Sequence, residues 1–215
     1  MPGERSNSGI DHRHRLTISA IYDIPFFSKS SSWFARNLLG NYEFAPSYTY
    51  ETGEWATVQS NVDSNLNGDN AGDRAILNPG GVKGTGSGVT PLTNSAGFTV
   101  AYLADNPSAQ YIVAGQGALT NIGRNTLITN PINNFDVSLA KRINVTERLR
   151  VEFMAQFLNA FNHPEFIPGS VNQINSLGRT TQRNYLIPDD PTFNTPRAAW
   201  PSNARSTQLV LKFIF

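Results

Sequence analysis

The stretch that decides the fold is residues 135–157, FDVSLAKRINVTERLRVEFMAQF. On each side of the polar connection 144–148, apolar and polar residues alternate with a period of two. The apolar positions are Phe135, Val137, Leu139, Ile143, Val151, Phe153, Ala155 and Phe157. Such alternation is typical of β-strands with one apolar face, and a short connection between two of them favours a hairpin. The stretch therefore predicts two adjacent antiparallel strands.

The same alternation occurs in residues 15–24, 41–50 and 208–215, and the segment that begins at residue 149 extends to residue 161. In each segment one set of alternate positions is mostly apolar, and the other set is mostly polar. The polar set includes Arg15, Asp23, Glu43, Arg142, Arg150, Glu152 and Lys212. Helical periodicity is scarce. The sequence therefore predicts an all-β protein with about five strands.

The connections between these segments alternate in length. Residues 25–40 and 144–148 are the shorter ones, and residues 51–134 and 162–207 are long. Compact soluble domains seldom contain unstructured loops beyond about 15 residues, whereas outer-membrane barrels have short turns at one rim and long loops at the other. With Phe215 at the periplasmic rim, both long connections become external loops. The pattern favours an antiparallel transmembrane β-barrel segment whose polar face lines a wet lumen.

The composition excludes several other classes of protein. Basic residues number 17 and acidic residues 16, and a net charge of +1 argues against a nucleic-acid binder. The absence of cysteine excludes a disulfide framework, a thiolate zinc site and a cysteine nucleophile. No apolar run approaches the roughly 18 residues of a membrane helix. Residues 1–10 lack the apolar core of a secretory signal and are expected to be disordered.

Aromatic residues near the strand ends fit the two interfacial girdles of a membrane barrel. Toward the periplasmic rim they are Tyr22, Phe26, Phe27, Tyr42, Phe44, Phe213 and Phe215, and toward the outer rim Tyr48, Tyr50, Trp55, Phe161 and Phe166. Three residues fit the apolar faces less well. Lys141 and Asn159 are placed near strand ends, where a long side chain such as that of Lys141 can reach water. Pro46 lacks an N–H group and predicts a bulge or break in the second strand.

Several motifs, in this order, resemble the end of the barrel in Oar-like TonB-dependent transporters. They are DHRHRL at residues 11–16, IYDIPF at 21–26, YTYETG at 48–53, GRNT at 123–126, NFDVSLAK at 134–141, TERLRVEF at 146–153, FLNAFNHP at 157–164 and TQLVLKFIF at 207–215. The resemblance covers residues 11–215. It implies a carboxy-terminal TonB-dependent receptor β-barrel segment in the cell outer membrane.

This resemblance also implies partners. The family has a barrel of about 22 strands, an amino-terminal plug and energy input from TonB. The expected partners are outer-membrane lipid, the remainder of the barrel and plug, and the barrel assembly machinery, which would read the end from Leu209 to Phe215. Five strands cannot close such a barrel, so the chain is expected to be a truncated gene product that does not transport alone. The transported substrate is not readable from the loops.

Three motifs have chemical interpretations that remain open or weak. Residues 63–74 begin with the calcium-loop pattern D-x-N-x-N-G, but Arg74 stands where the bidentate acid belongs, and a polar turn explains the same residue types. His12 and His14 would share a strand face without a third ligand. Residues 80–88 are glycine-rich but lack the phosphate-loop spacing. No catalytic, cofactor-binding or metal-ligating residue is assigned, and no enzyme activity is expected.

A second hypothesis also explains the alternation. A soluble or secreted β-sandwich that binds carbohydrate or an adhesive partner, with calcium assistance, would have one apolar face per strand as well. The two long connections argue against it. In a sandwich the apolar faces would be buried in an aqueous core, whereas in a membrane barrel they would be exposed to lipid.

Overall fold

A computed structural model describes residues 4–70, 72–165, 184–199 and 202–215 of the chain. The predicted girdle residue Phe166 and much of the predicted loop 162–207 lie outside these residues. The described chain divides into two units. The sheet unit comprises Arg13–Thr52, Ile132–Glu165 and Asn203–Phe215, and the insert unit comprises the described residues of Met1–His12, Gly53–Pro131 and Phe166–Ser202. Among the described residues, no helix is long and apolar enough to cross a membrane.

The sheet unit has six strands: β1 Arg15–Ser19, β2 Tyr22–Ile24, β3 Tyr42–Glu51, β11 Ile132–Asn144, β12 Arg150–Leu158 and β13 Ser206–Ile214. They form an antiparallel meander in the order β1–β3–β11–β12–β13, with β2 also paired to β3. β1 and β2 together occupy the first predicted strand, and the other four predicted strands form within a few residues of their predicted bounds. The all-β antiparallel fold class is confirmed.

The strand register places the predicted apolar residues on one face of the sheet. Leu16 pairs with Tyr50 and Phe135 with Tyr48, while Phe153 pairs with Leu211. Directly opposed residues of antiparallel strands project to the same side, so these pairs continue one face across the sheet. A one-residue slip in any strand would move its apolar set to the other face.

Both long connections leave the sheet at the same end. Glu51, the last residue of β3, pairs with Ile132, the first of β11, and Leu158 likewise pairs with Ser206. The connections between β2 and β3 and between β11 and β12 lie at the opposite end, where Ile24 pairs with Tyr42 and Asn144 with Arg150. This is the arrangement that the alternating connection lengths predict.

Pro46 acts on the neighbouring strand rather than on its own, and this corrects the prediction. β3 runs through Pro46 without interruption. The backbone N–H of Ala20 donates to Pro46 O at 3.1 Å, but Pro46 has no N–H to donate in return. The break between β1 and β2 lies opposite this position, because Ser19 pairs with Ser47 and Tyr22 with Phe44. In an antiparallel strand, the N–H and C=O groups of one residue point to the same side. Those of residue 46 face β1 and β2, so the missing N–H of Pro46 removes no hydrogen bond between β3 and β11.

The prediction that Asn159 lies on the apolar face of a strand is also corrected, because β12 ends at Leu158. Asn159 has a φ of 51°, a left-handed conformation that asparagine tolerates better than most residues. Its side chain is buried and donates to the carbonyl oxygens of His163 and Asn203, both at 2.8 Å. Asn159 therefore caps the turn that follows β12 and does not lie on the apolar strand face.

The insert unit occupies most of the predicted external loop 51–134 and contains secondary structure of its own. Its elements are β4 Trp55–Ala56, β5 Ile76–Leu77, β6 Val82–Ser87, β7 Val89–Thr93, β8 Thr99–Ala104, β9 Ala109–Ile112, β10 Leu127–Ile128 and helix α1 Pro196–Ala199. They form the pairs β4–β10 and β7–β8 and the sheet β5–β9–β6, in which β6 and β9 are parallel.

The insert unit also contains a hydrophobic core, which the alternation of apolar and polar residues does not predict. The core contains Ala56, Val58, Ala75, Tyr111, Ile122, Leu127, Tyr185, Leu186 and Phe193. Gly86 makes this packing possible, because a Cβ there would lie 2.6 Å from Phe193 Cδ1. Near the amino terminus, Glu4 Oε1 lies 2.8 Å from Arg74 Nη2, and Asn7 O accepts from Asn125 at 2.7 Å. The predicted disorder over residues 1–10 does not anticipate these contacts.

Candidate functional site

The polar face of the sheet carries a network of charges that joins residues of five strands. Arg142 on β11 is its centre. Its Nη1 lies 3.5 Å from Asp23 Oδ1 on β2, its Nη2 contacts Glu43 on β3, and its Nε donates to Glu152 Oε2 on β12 at 3.1 Å. Glu152 Oε1 in turn lies 3.4 Å from Lys212 Nζ on β13. The network therefore spans the full width of the sheet.

The sequence predicts that these side chains share a face, and the register confirms this. Arg142 pairs with Glu152 and Glu152 with Lys212, so the three side chains project to the same side. Arg142 suits the central position because the N–H groups of its planar guanidinium can donate to several carboxylate oxygens at once. The alternation pattern gives no reason to prefer it over Arg15 or Arg150, so its central role is visible only in the structure.

The opposite face of the sheet is apolar and exposed. Leu211 on β13 keeps 56% of its accessible surface, and Ile18 on β1 keeps the same share. The other large apolar side chains exposed on this face include Leu16, Tyr22, Phe44, Leu139, Phe153, Leu209 and Phe213. A contiguous apolar surface of this extent marks a contact with lipid or with another protein. The exposure disfavours the β-sandwich hypothesis, because a sandwich would bury this face.

Lys141 lies on the apolar face, and its charged end reaches the end of the sheet as the sequence predicts. Its Nζ donates to the carbonyl oxygen of Gly40 and lies 4.0 Å from the centroid of the Tyr42 ring. The stem of Lys141 follows the apolar surface while its charge finds a carbonyl and an aromatic face. At the other end of the sheet the rings of Phe135 and Phe161 stack at 5.0 Å.

The candidate calcium loop uses its oxygen atoms internally. Asp63 accepts the backbone N–H groups of Asn67 and Gly68, both at 3.0 Å, and Asp73 accepts that of Ser64 at 2.8 Å. These are the bonds of a polar turn. Among the residues that the structure describes, no three His, Asp or Glu side chains lie together as a metal site would require.

The other two candidate motifs also have structural partners. His12 Nε2 lies 3.9 Å from Glu54 Oε1, and the backbone N–H of His14 donates to Thr52 Oγ1 at 3.3 Å. The glycine-rich stretch forms β6, where the N–H of Gly84 donates to Gln110 Oε1 at 2.7 Å. A helix N-terminus, which a phosphate loop would need, does not follow this strand in the described chain.

The insert unit contains a small cavity that the sequence does not predict. It encloses about 140 Å³ and is lined by Gly9, Thr57, Gln59, Gly72, Arg74, Arg124 and Asn125. The side-chain oxygen of Gln59 is buried and has no hydrogen-bond partner among the described residues. No motif marks this cavity, because its lining comes from four separate parts of the chain.

The chain matches a known protein family. A family model described as an outer membrane beta barrel domain matches residues 1–186. Neither the curated proteins nor the solved structures contain a match to this chain. The matched region includes β1 to β12, and β13 continues the same sheet beyond it through nine paired residues of β12. The two faces of the sheet agree with the lipid-facing and lumen-facing sides of such a barrel.

Proposed function

Because this chain belongs to the outer membrane beta barrel domain family, and so lies in the cell outer membrane, we propose that it forms part of the barrel of a TonB-dependent, Oar-like transporter. In this proposal the polar face lines the conduit, and the segments 51–134 and 162–207 contribute to the external surface that captures substrate. The observation that carries the proposal is the sheet itself, which has an exposed apolar face on one side and the charge network of Arg142 on the other.

The proposed direction of the sheet places its long-connection end outside the cell. Transmembrane barrels in bacteria have short periplasmic turns and long extracellular loops. The insert unit would then be exposed to the medium. The cavity lined by Gln59 and Arg124 is the part of that unit that we expect to contact substrate, because it combines a guanidinium group with an amide oxygen that accepts no hydrogen bond from the described residues.

The proposed partners follow from the two faces and the edges. Lipid covers the apolar face, and further barrel strands pair with the edge strands β1 and β13, because an unpaired edge is not viable in lipid. A plug contacts the polar face, where its charged groups can join the network around Arg142. The assembly machinery reads the end from Leu209 to Phe215. Neither nucleic acid nor an enzymatic substrate has a place in the proposal.

The absence of cysteine permits a direct test of the barrel geometry. Single cysteines are introduced along β13 in the full chain, reconstituted in vesicles and labelled with a fluorophore. We expect brominated lipids to quench labels at Leu209, Leu211 and Phe213, and a water-soluble thiol reagent to react at Gln208, Val210 and Lys212. Equal quenching at both sets would contradict the proposal.

A second measurement tests the TonB-dependent role. In intact cells in which this chain is assembled with the rest of the barrel and the plug, Gln156→Cys on the polar face is treated with a membrane-impermeant maleimide before and after the proton-motive force is dissipated. A plugged, energised conduit predicts that the labelling rate changes with the proton-motive force. The control is Ser95→Cys in the β7–β8 turn, whose rate should stay constant. An unchanged rate at Gln156 would indicate a barrel that is not driven by TonB.

A further inference from the structure

The connection between β2 and β3 presents an apolar and basic surface at the short-connection end of the sheet. We call residues 25–40 the rim segment. Its large apolar side chains are all exposed, with Phe34 at 72%. The others are Phe26, Phe27, Trp33, Leu38 and Leu39. Six exposed side chains of this size in one connection are unusual for a surface that faces water alone.

The rim segment has a fixed conformation. Asn37 is 2% exposed; its side chain donates to Trp33 O at 3.1 Å and accepts the backbone N–H of Asn144 at 2.9 Å. This ties the π-helical turn Ala35–Leu39 to the end of β11. Gly40 closes the segment on itself, because a Cβ there would lie 2.8 Å from the backbone of Phe27. The backbone that carries the apolar side chains is thus held in place at the end of the sheet.

The charge of the rim segment has a single sign. It contains Lys29 and Arg36 and no acidic residue. In the described part of the chain neither side chain has an ion-pair partner. Basic residues next to exposed tryptophan, phenylalanine and leucine are typical of segments that lie in the headgroup layer of an anionic membrane.

The rim segment continues the apolar face of the sheet. Ile24, at the end of β2, and Tyr42, at the start of β3, flank the rim segment and pair with each other. The Tyr42 hydroxyl donates to Leu38 O at 3.3 Å. We propose that the rim segment is an interfacial anchor that inserts its aromatic and leucine side chains into the bilayer leaflet at the short-connection end and binds anionic phospholipid headgroups through Lys29 and Arg36. This proposal rests on the membrane-barrel function and adds a lipid preference to it.

The test uses Ser31→Cys, which keeps every apolar and basic side chain of the rim segment. The full chain, labelled with a fluorophore, is placed in phosphatidylcholine vesicles that contain equal small fractions of brominated phosphatidylglycerol or brominated phosphatidylcholine. We expect both lipids to quench the label, with the phosphatidylglycerol more effective by at least roughly fivefold, the factor that corresponds to one of the two basic residues close to an anionic surface.

Two variants separate the apolar and the electrostatic contributions. The pair K29Q/R36Q should bring the quenching ratio of the two lipids close to one, while the matched pair K83Q/R197Q in the insert unit should leave it unchanged. The pair F34S/L38S should lower quenching by both lipids. Far-ultraviolet circular dichroism checks that each variant keeps its β-structure.

The outcomes distinguish this proposal from the barrel function. If a label at Leu211 is quenched and the label at Ser31 is not, the sheet lies in lipid, and the rim segment contacts a protein or water instead. A ratio of one in the parent chain would overturn the preference for anionic lipid. If Ser31 is quenched and Leu211 is not, the anchor stands and the barrel function fails.

Discussion

At the scale of single residues, Arg142 joins more strands than its position in the alternating sequence pattern indicates. It contacts three carboxylates from three neighbouring strands, and Glu152 links it to Lys212 on a fourth. An exposed ion pair contributes little, but a guanidinium that holds several carboxylates together also prevents their mutual repulsion. The side chain is about one-third exposed, so solvent screening reduces the effect.

Replacement of Arg142 by glutamine should lower the free energy of unfolding of the reconstituted protein by about 1 kcal/mol, because Asp23, Glu43 and Glu152 lose their shared cation. Urea-induced unfolding in vesicles, followed by the migration of folded protein on gels, measures the change. Arg148→Gln, in the connection between β11 and β12, is the control and should change nothing. Equal midpoints for the two variants would show that the network is not stabilising.

Tyr185 is a second residue with a testable property. It is fully buried in the insert unit, and its hydroxyl donates to Asn194 Oδ1 at 3.1 Å. Burial raises the pKa of Tyr185 from its ordinary value of 10.0 to about 12. The folded state therefore keeps the proton that the unfolded state loses between these two values. Tyr185 stabilises the fold fully below pH 10, and this contribution falls as the pH rises toward 12.

We expect the insert unit to lose roughly 2–3 kcal/mol of stability between pH 10 and pH 12 from this residue. Near-ultraviolet absorbance of tyrosinate during a pH titration detects the late ionisation. In the Tyr185→Phe variant the late step should shrink, and the remaining part should come from Tyr111, whose pKa burial also raises. A titration that is identical in the parent and the variant would contradict the assignment.

At the scale of elements, the interruption between β1 and β2 shows how one proline shapes a neighbouring strand. The register is continuous across the gap. The ladder lacks one hydrogen bond there, because Pro46 has no N–H to donate. The sequence predicts an irregularity from Pro46 but assigns it to the strand that contains the proline. The location depends on which neighbour the missing donor faces, and that is a property of the sheet.

Pro46→Val should therefore join β1 and β2 into one strand. The new amide can donate to Ala20 O, and a typical hydrogen bond contributes about 1 kcal/mol to stability. Amide hydrogen exchange should show new protection at residue 46 and slower exchange at Ala20 and Tyr22, whose N–H groups face β3. Ala45→Val, one position along the same strand, introduces the same side chain without a new donor and serves as the control. No protection at residue 46 would mean that the gap has another cause.

At the scale of the whole molecule, the chain contains two kinds of apolar surface. The core of the insert unit, including Val58, Leu186 and Tyr185, is buried. The apolar face of the sheet unit is exposed over all five predicted strands. Water disfavours an exposed apolar face of that size, and lipid accommodates it.

The full chain should consequently aggregate in buffer and become monodisperse in detergent micelles, with a gain of β-structure by circular dichroism. Size-exclusion chromatography with light scattering measures the first effect. A triple variant with glutamate at Ile18, Leu209 and Leu211 should need less detergent, and one with glutamate at Gln156, Gln208 and Thr49 on the polar face should not differ from the parent. A parent chain that is monomeric and melts cooperatively without detergent would refute the membrane assignment.

The sequence by itself determined most of the sheet: the five strand segments, their antiparallel arrangement and the two faces of each strand. A period-two pattern and the lengths of the connections contain this information locally, because successive strand residues project to opposite sides. Thus Val137 and Leu211 are assigned correctly from the sequence alone.

Only the tertiary structure decided what depends on distant partners. The choice of Arg142 as the centre of the charge network, the capping role of Asn159 and the location of the break opposite Pro46 all need the register between strands. The core of the insert unit likewise brings Val58, Tyr111 and Tyr185 together from remote parts of the chain, with no local periodicity to mark them. Local alternation specifies a face, whereas a contact between distant residues exists only once the chain has folded.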